Sequence, residues 1–390
     1  MNFSWNEEQL LIRNRFSSLS TTINSNYQDY YDRNQFDDEA WEVVTNEGIW
    51  KYPVPEKYGG YGKSWWEFTA ALEGLASTTK DLGFLLSMIA HIGCLRVLMK
   101  HGTEEQKHYY LDLLMNGKVG ATAITETSGG SDVARISTSA AYKSSSPSLL
   151  ELNGHKSHIT NAPIADVVVM VGRIPELGKK DITLFILERD MTGLTFGERE
   201  NMFGNRTSPT GDIYLKNVHI HKGNILGEPG DGLNTLYNMI SLDRLLYGLI
   251  AAAFIEPLLT KSLAFSNDRT AFKTSISNHQ YIQKKLTDMK MNIEKSRWVS
   301  YAALDRLITG HEEASLLCSI AKFTGTEALV ETAHDLMLIH GHQGYMQGEI
   351  SQILQDAIGT RIAGGTSDIQ RVNIFNQLQK LHSASREVVS

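Results

Sequence analysis

The chain has 390 residues, 21% charged and 42% hydrophobic, with Lys+Arg 37 against Asp+Glu 44 for a formal charge of −7. That composition excludes disorder, argues against a surface built for nucleic acid, and fits roughly two to three domains. Two cysteines, Cys94 and Cys318, exclude a disulfide framework and every cysteine-based zinc cluster.

The N-terminal MNFSWNEEQ is acidic and has no apolar run, so no signal peptide is expected. Up to about residue 115 the spacing is helical, in DDEAWEVVTNEGIW and in TAALEGLASTTKDLGFLLSMIAHIGCLRVLMKHG. Pro53, Pro55 and Gly59-Gly60-Tyr61-Gly62 interrupt it, and Thr103 is placed to cap a helix that opens with acids. From about Val119, ADVVVMVGRI, DITLFILERD and GDIYLKNVHIHKGNILG read as strands, and SSSPSL at 144–149 as a solvated connection. After GEPGDG helical spacing returns at 233–266, 277–308, 313–339 and 367–382. The longest charge-free apolar stretches, 82–95 and 245–255, are shorter than the roughly 20 residues of a membrane span. The expectation is a soluble, cytoplasmic protein with no membrane and no nucleic-acid partner.

Several motifs fail. Tyr61-Gly62-Lys63-Ser64 ends like a phosphate-binding loop, but Lys57 stands where its first glycine belongs. There is no GxGxxG after a strand, no HExxH and no GxSxG. The pairs His219/His221 and His340/His342 read as loop histidines, and no metal site is assigned.

Three features carry information. In AITETSGGSDV at 123–133, small hydroxylated residues and two glycines let a backbone point N–H groups at anionic oxygens, or simply form a polar loop between domains. Asp243 falls on the apolar stripe of Leu236, Met239/Ile240, Leu246/Tyr247 and Ile250. A carboxylate there must be paired, hydrogen-bonded or opened to a cavity, as a structural or a functional group. In IAGGTSDIQRVNI at 362–374, Gly364-Gly365 breaks the chain and Thr366 or Ser367 caps the next helix, with Asp368 in its first turn. Such an N-terminus is an oxyanion site or only a capped helix.

In order along nearly the whole chain, the motifs resemble the acyl-CoA dehydrogenase flavoprotein family. They are EEQ at 7–9, VPEKYGGYG at 54–62, GTEEQKHYYLDLLMNGK at 102–118, TETSGGSDV at 125–133, GHKSHITNA at 154–162 and FGNRTSPTGDIYLKNVHI at 203–220. RTAF at 269–272, HQYIQKKLTDM at 279–289 and GGTSDIQR at 364–371 complete the series, and ITNAPIADV is similar to members acting on carrier-protein thioesters. The resemblance implies an α+β, mainly helical fold: an N-terminal α-helical domain (1–117), a middle β-barrel domain (118–230) and a C-terminal four-helix bundle (231–390). It implies a homotetramer or homodimer with bound FAD.

By motif, Ile124, Thr125 and Ser131 would line the flavin and pyrophosphate, and His158, Ile159 and Thr160 would approach the isoalloxazine. Arg269, Phe272, His279 and Gln280, with Gly341, would reach a neighbouring subunit's FAD, and Thr366 and Asp368 the adenosine half. The implied reaction is α,β-dehydrogenation of an acyl-CoA or acyl-carrier-protein thioester. A base takes the α-proton, flavin N5 the β-hydride, and a backbone N–H at Gly364-Gly365 the developing oxyanion. An electron-transferring flavoprotein is a possible partner.

Most members carry glutamate where this chain has Gly364. A minority place it one residue before an arginine on the helix opening the C-terminal domain, the position of Asp243 before Arg244. Asp243 is thus the implied base, with Ser131, Arg244 and Tyr247 toward the substrate. Further departures are His158 for Trp or Phe, and Leu338 and His342 for Gln and Gly. Two other readings are a flavin monooxygenase on the same fold and a member that binds without catalysis.

Overall fold

The computed structural model describes residues 5–144 and 146–387, so residues 1–4 of the N-terminal reading and Ser145 of the 144–149 connection lie outside the described residues. The first third is helical: α1 (Glu7–Ser18), α2 (Ser20–Ile23), α3 (Tyr27–Asp32), α4 (Asp38–Asn46), α5 (Trp65–Ala76), α6 (Leu82–His101) and α7 (Glu104–Met115). The stretch read as one helical run from 69 to 102 is two helices. α5 ends at Ser77, and the Asp81 side chain accepts from Phe84 N at 2.9 Å to start α6. Thr103 caps α7 in a reciprocal pair with Gln106.

The middle third is one sheet of β1 (Gly120–Ala123), β2 (Ser139–Lys143), β3 (Ser146–Thr160), β4 (Val167–Arg173), β5 (Ile182–Glu188), β6 (Leu194–Phe196), β7 (Thr210–His221) and β8 (Ile225–Leu226). The order is β6-β7-β3-β2-β4-β5-β8, with β1 parallel to β4. Val167–Met170 and Leu184–Leu187 are buried on both faces, which is why those strands read as continuous apolar runs. The β3–β7 register shifts between Lys156 and Ile159, a bulge that re-aims the end of β3.

The last third holds α8 (Gly232–Asp268), the two-residue hairpin β9 (Thr270–Ala271) and β10 (Thr274–Ser275), α9 (Gln280–Ile308), α10 (Ala314–His340), α11 (His342–Tyr345), α12 (Glu349–Thr360) and α13 (Ser367–Glu387). α12 lies outside the expected stretches, although Ile350, Ile353, Leu354 and Ala357 have helical spacing. α8, α9 and α10 pack on one another, α12 and α13 on α10, and α5 and α6 on α8. α6 and α8 are long and apolar enough to cross a bilayer, yet 89% of the most apolar window of α6 is buried within the fold. The apolarity of α6 serves the core, and the corresponding window of α8 is 56% buried. Buried Glu73 of α5 pairs with Arg13 of α1 and Arg297 of α9 and accepts from Tyr301, tying the N-terminal helices to the bundle.

Candidate active site

α8 is apolar around most of its circumference from Leu242 to Ile255, and Asp243 is buried within that stretch. Its carboxylate lies against α6 at Gly93, where a Cβ would stand 2.7 Å from Oδ1, so only glycine admits it. Among the described residues Oδ1 has no hydrogen-bond partner. Burial pushes the pKa up to about 7, with the Arg96 and Arg244 guanidiniums pulling it back. A carboxylate poised near neutrality with an open acceptor is equipped to take a proton.

The groups around it are cationic or neutral. Arg96 of α6 donates to Met239 O at 3.5 Å, one turn before Asp243 on α8. Arg244 points to α10, where Nη1 meets Ser319 Oγ at 3.5 Å, and its Nε is unpartnered among the described residues. Burial pushes the Cys94 and Cys318 thiols up to about 12, so both stay protonated. Lys322 of α10 is fully buried, and burial, helped by Arg244, brings its pKa down to about 7. Its ammonium is 5.6 Å from the Tyr247 ring centroid and donates to Gly365 O at 2.5 Å.

That bond joins α10, beside Tyr247, to the 363–366 loop. Gly364 has φ +67° and Gly365 φ +91°, a conformation other residues rarely hold. A Cβ on Gly364 would stand 2.7 Å from Cε2 of Tyr247, one turn along α8 from Asp243. The ring occupies the space through which a side chain at 364 would leave. Gln370 Nε2 donates to Gly365 O at 3.0 Å and Gly364 O at 3.4 Å, fixing the loop carbonyls. Among the described residues neither the Gly364 nor the Gly365 N–H donates to a backbone carbonyl, which leaves both free for an oxyanion. Thr366 Oγ1 accepts from Ile369 N at 3.2 Å and caps α13, with exposed Asp368 in its first turn.

On the sheet side, Ser157 N donates to Thr125 O at 2.9 Å, bringing the ends of β1 and β3 together with Ile124, Thr125, Ile159 and Thr160. Beneath them Lys156 Nζ donates to Ile124 O at 3.1 Å and to Glu126 Oε1 at 2.8 Å. Glu126 also accepts from Ser137 and Thr138, so a buried ion pair holds the loop. A Cβ on Gly130 would stand 3.1 Å from Thr125, and Ser131 is exposed beside it. A glycine cradle with hydroxyls of Thr125, Ser131 and Thr160 fits the phosphate and ring edge of a flavin dinucleotide.

His158, at φ +58°, is exposed and contacts Glu200 Oε1 at 2.8 Å. His158, Glu200 and Asp212 bring ligand-type atoms within 4.8 Å of one another, but Asp212 already accepts from Tyr214 and pairs with His155. His219 meets Glu151 at 3.0 Å, a carboxylate neighbour that sequence spacing did not reveal.

Arg269, Phe272, His279 and Gln280 surround the β9–β10 hairpin, with Phe272 92% exposed and 5.8 Å from the His279 ring. Gly341 ends α10 with φ +59°. From Asp243 to Arg269 the chain runs about 39 Å along helix at 1.5 Å per residue. The structure therefore does not gather this group around Asp243.

The fold and site describe a flavin-dependent oxidoreductase, and the comparisons agree. Models of the acyl-CoA dehydrogenase N-terminal, middle and C-terminal domains match residues 6–118, 121–218 and 230–379. An acyl-CoA dehydrogenase of Bacillus subtilis (strain 168) is 32% identical over 337 residues, 85% of this chain and 87% of that one. The crystal structure of the prolyl acyl carrier protein oxidase AnaB superposes with TM-score 0.92 at 31% identity, covering 96% and 100% of the two chains. The FAD complex of PigA gives TM-score 0.91 at 25% identity, covering 97% and 99%. The chain belongs to the acyl-CoA dehydrogenase family. It is a flavoprotein oxidoreductase whose cofactor is FAD, acting in general on acyl thioesters.

The sequence reading missed Gly93, Arg96, Lys322 and the Glu126–Lys156 pair. Arg96 carried the same signal as Asp243, a charge inside an apolar helix. Lys322 and Lys156 carried none.

Proposed function

We propose that the protein dehydrogenates an acyl thioester between Cα and Cβ, with Asp243 as the base that removes the α-proton. The reading rests on one observation: a buried carboxylate, poised near neutrality, with Oδ1 open among the described residues. When bound, FAD supplies the hydride acceptor. Asp243 takes the proton into a recess whose cationic neighbours favour the carboxylate before transfer. The N–H groups at Gly364 and Gly365, their carbonyls restrained by Lys322 and Gln370, bind the thioester oxygen as charge develops on it. Tyr247 closes the recess beneath the loop. The product is the trans-enoyl thioester.

Likeness to a prolyl acyl carrier protein oxidase supports a carrier-protein thioester as substrate beside a CoA thioester. The distance of the β9–β10 hairpin from Asp243 supports a homo-oligomer in which Arg269, Phe272, His279 and Gln280 reach a neighbouring subunit's cofactor. Thr366 and Asp368 at the start of α13 are assigned to the adenosine half.

The test is anaerobic mixing of the FAD-loaded protein with CoA and carrier-protein thioesters. Bleaching of the flavin is expected with a saturated acyl thioester. Asp243→Asn should retain FAD and lose bleaching by a factor of at least about 10³. Bleaching of the Asn variant at the wild-type rate would remove Asp243 as the base.

A further inference from the structure

The Asp243 carboxylate sits on Gly93 of α6, and Arg96 lies one turn further along the same helix. On the facing helix Met239 lies one turn before Asp243, and Arg96 bonds to its carbonyl. The two charged groups are thus bracketed by the same helical turn on α6 and on α8. Met239 O is also the backbone acceptor position for Asp243 N in an α-helix, so a guanidinium there touches the segment that carries the carboxylate.

Of the other groups facing Asp243, Arg244 adds a second, smaller pull toward the ionised carboxylate. On α6 the Cys94 thiol is neutral. On α8 Tyr247 is held protonated by burial, and Arg244 is turned to Ser319. On α10 Cys318 is neutral and Lys322 is committed to Gly365 O. Arg96 also lines a cavity of about 320 Å³ with Trp65, Met99, Lys100, Leu242 and Leu307. Its outer side therefore reaches a hollow open to solvent, which lets a buried guanidinium keep its charge.

We propose that Arg96 is a positioning residue for the base, anchored on Met239 O so that its charge keeps the Asp243 carboxylate ionised across the α6–α8 contact. This rests on the reading of Asp243 as base. The guanidinium acts from the facing helix, bonded to Met239 O one turn before the carboxylate. Burial alone would leave Asp243 protonated at neutral pH, and the arginine opposes it.

The experiment measures the pH dependence of anaerobic flavin bleaching in the FAD-loaded wild type, Arg96→Met, Arg96→Gln and Asp243→Asn. Bleaching in the wild type should rise with pH as the base ionises. Both neutral variants should move that rise upward by about one pH unit or more, with rates within several-fold of wild type above it. Arg96→Gln keeps a polar, uncharged side chain and covers the case in which Arg96→Met does not fold. If the neutral variants lower the rate equally at every pH, Arg96 only packs and the inference is overturned. If Asp243→Asn bleaches normally, the base assignment fails first, a distinguishable result.

Discussion

Gly364 and Tyr247 should be energetically coupled. Gly364→Ala places an L side chain at φ +67°, which costs about 1–2 kcal/mol. It also sets a Cβ 2.7 Å from Tyr247 Cε2, where the fixed ring of a buried side chain must shift, a further overpacking cost of about 1–3 kcal/mol. Tyr247→Leu removes the ring edge and so the second cost, while leaving the first. Unfolding midpoints of the four proteins in the cycle, at one FAD concentration, give the coupling. The expected value is about 1–3 kcal/mol, the double variant being more stable than the two single changes predict. Additivity within about 0.5 kcal/mol would refute the contact. The same contact predicts that Gly364→Glu, placed in the Asp243→Asn background, restores no bleaching, because the new side chain is diverted by the ring.

Lys156→Met strands Glu126 in the interior and should destabilise the protein by about 3–5 kcal/mol, read from thermal unfolding. Burial alone would raise Glu126, but Lys156, Ser137 and Thr138 outweigh it and hold the group at about 2. Its contribution to stability is present above about pH 4.5 and is lost as pH falls toward 2; Glu126→Gln should flatten that part of the melting profile. Asp356, which accepts from Asn205 N and Tyr31 OH, is pushed by burial in the opposite direction, to about 7. Its folded state prefers the proton, so that stabilisation fades as pH rises from 3.8 through 7. Asp356→Asn should therefore raise the melting midpoint at pH 8, with the gain shrinking toward pH 4; no pH dependence of the gain would contradict this. Arg96, Arg244 and Lys322 make the surroundings of Asp243 cationic, so α-ammonium thioesters should bleach the flavin more slowly than neutral isosteres at pH 6. Equal rates would show that the acyl group does not meet these charges.

The fold was legible where local pattern and tertiary packing agree. β4 and β5 are buried on both faces, and their continuous apolar runs, VVVMV and LFIL, say so. Asp81 was unread because a capping aspartate inside STTKDLG looks like surface charge until its side chain is seen on Phe84 N. Asp243 was legible for the opposite reason. A charge on an apolar face is costly in any fold, so its presence signals a partner or a cavity before either is located.

That logic applied equally to Arg96, and the two charges together would have indicated the pairing of α6 with α8. What no local pattern holds is the meeting of elements distant in sequence. Tyr247 and Gly364 are separated by α9, α10 and α12, yet one ring determines why the loop carries a glycine. Lys322 looks like an ordinary solvated lysine until Gly365 O is found at its tip. The sequence motif locates the missing loop carboxylate. The packing explains its loss, because the space for it is filled from the helix that carries Asp243.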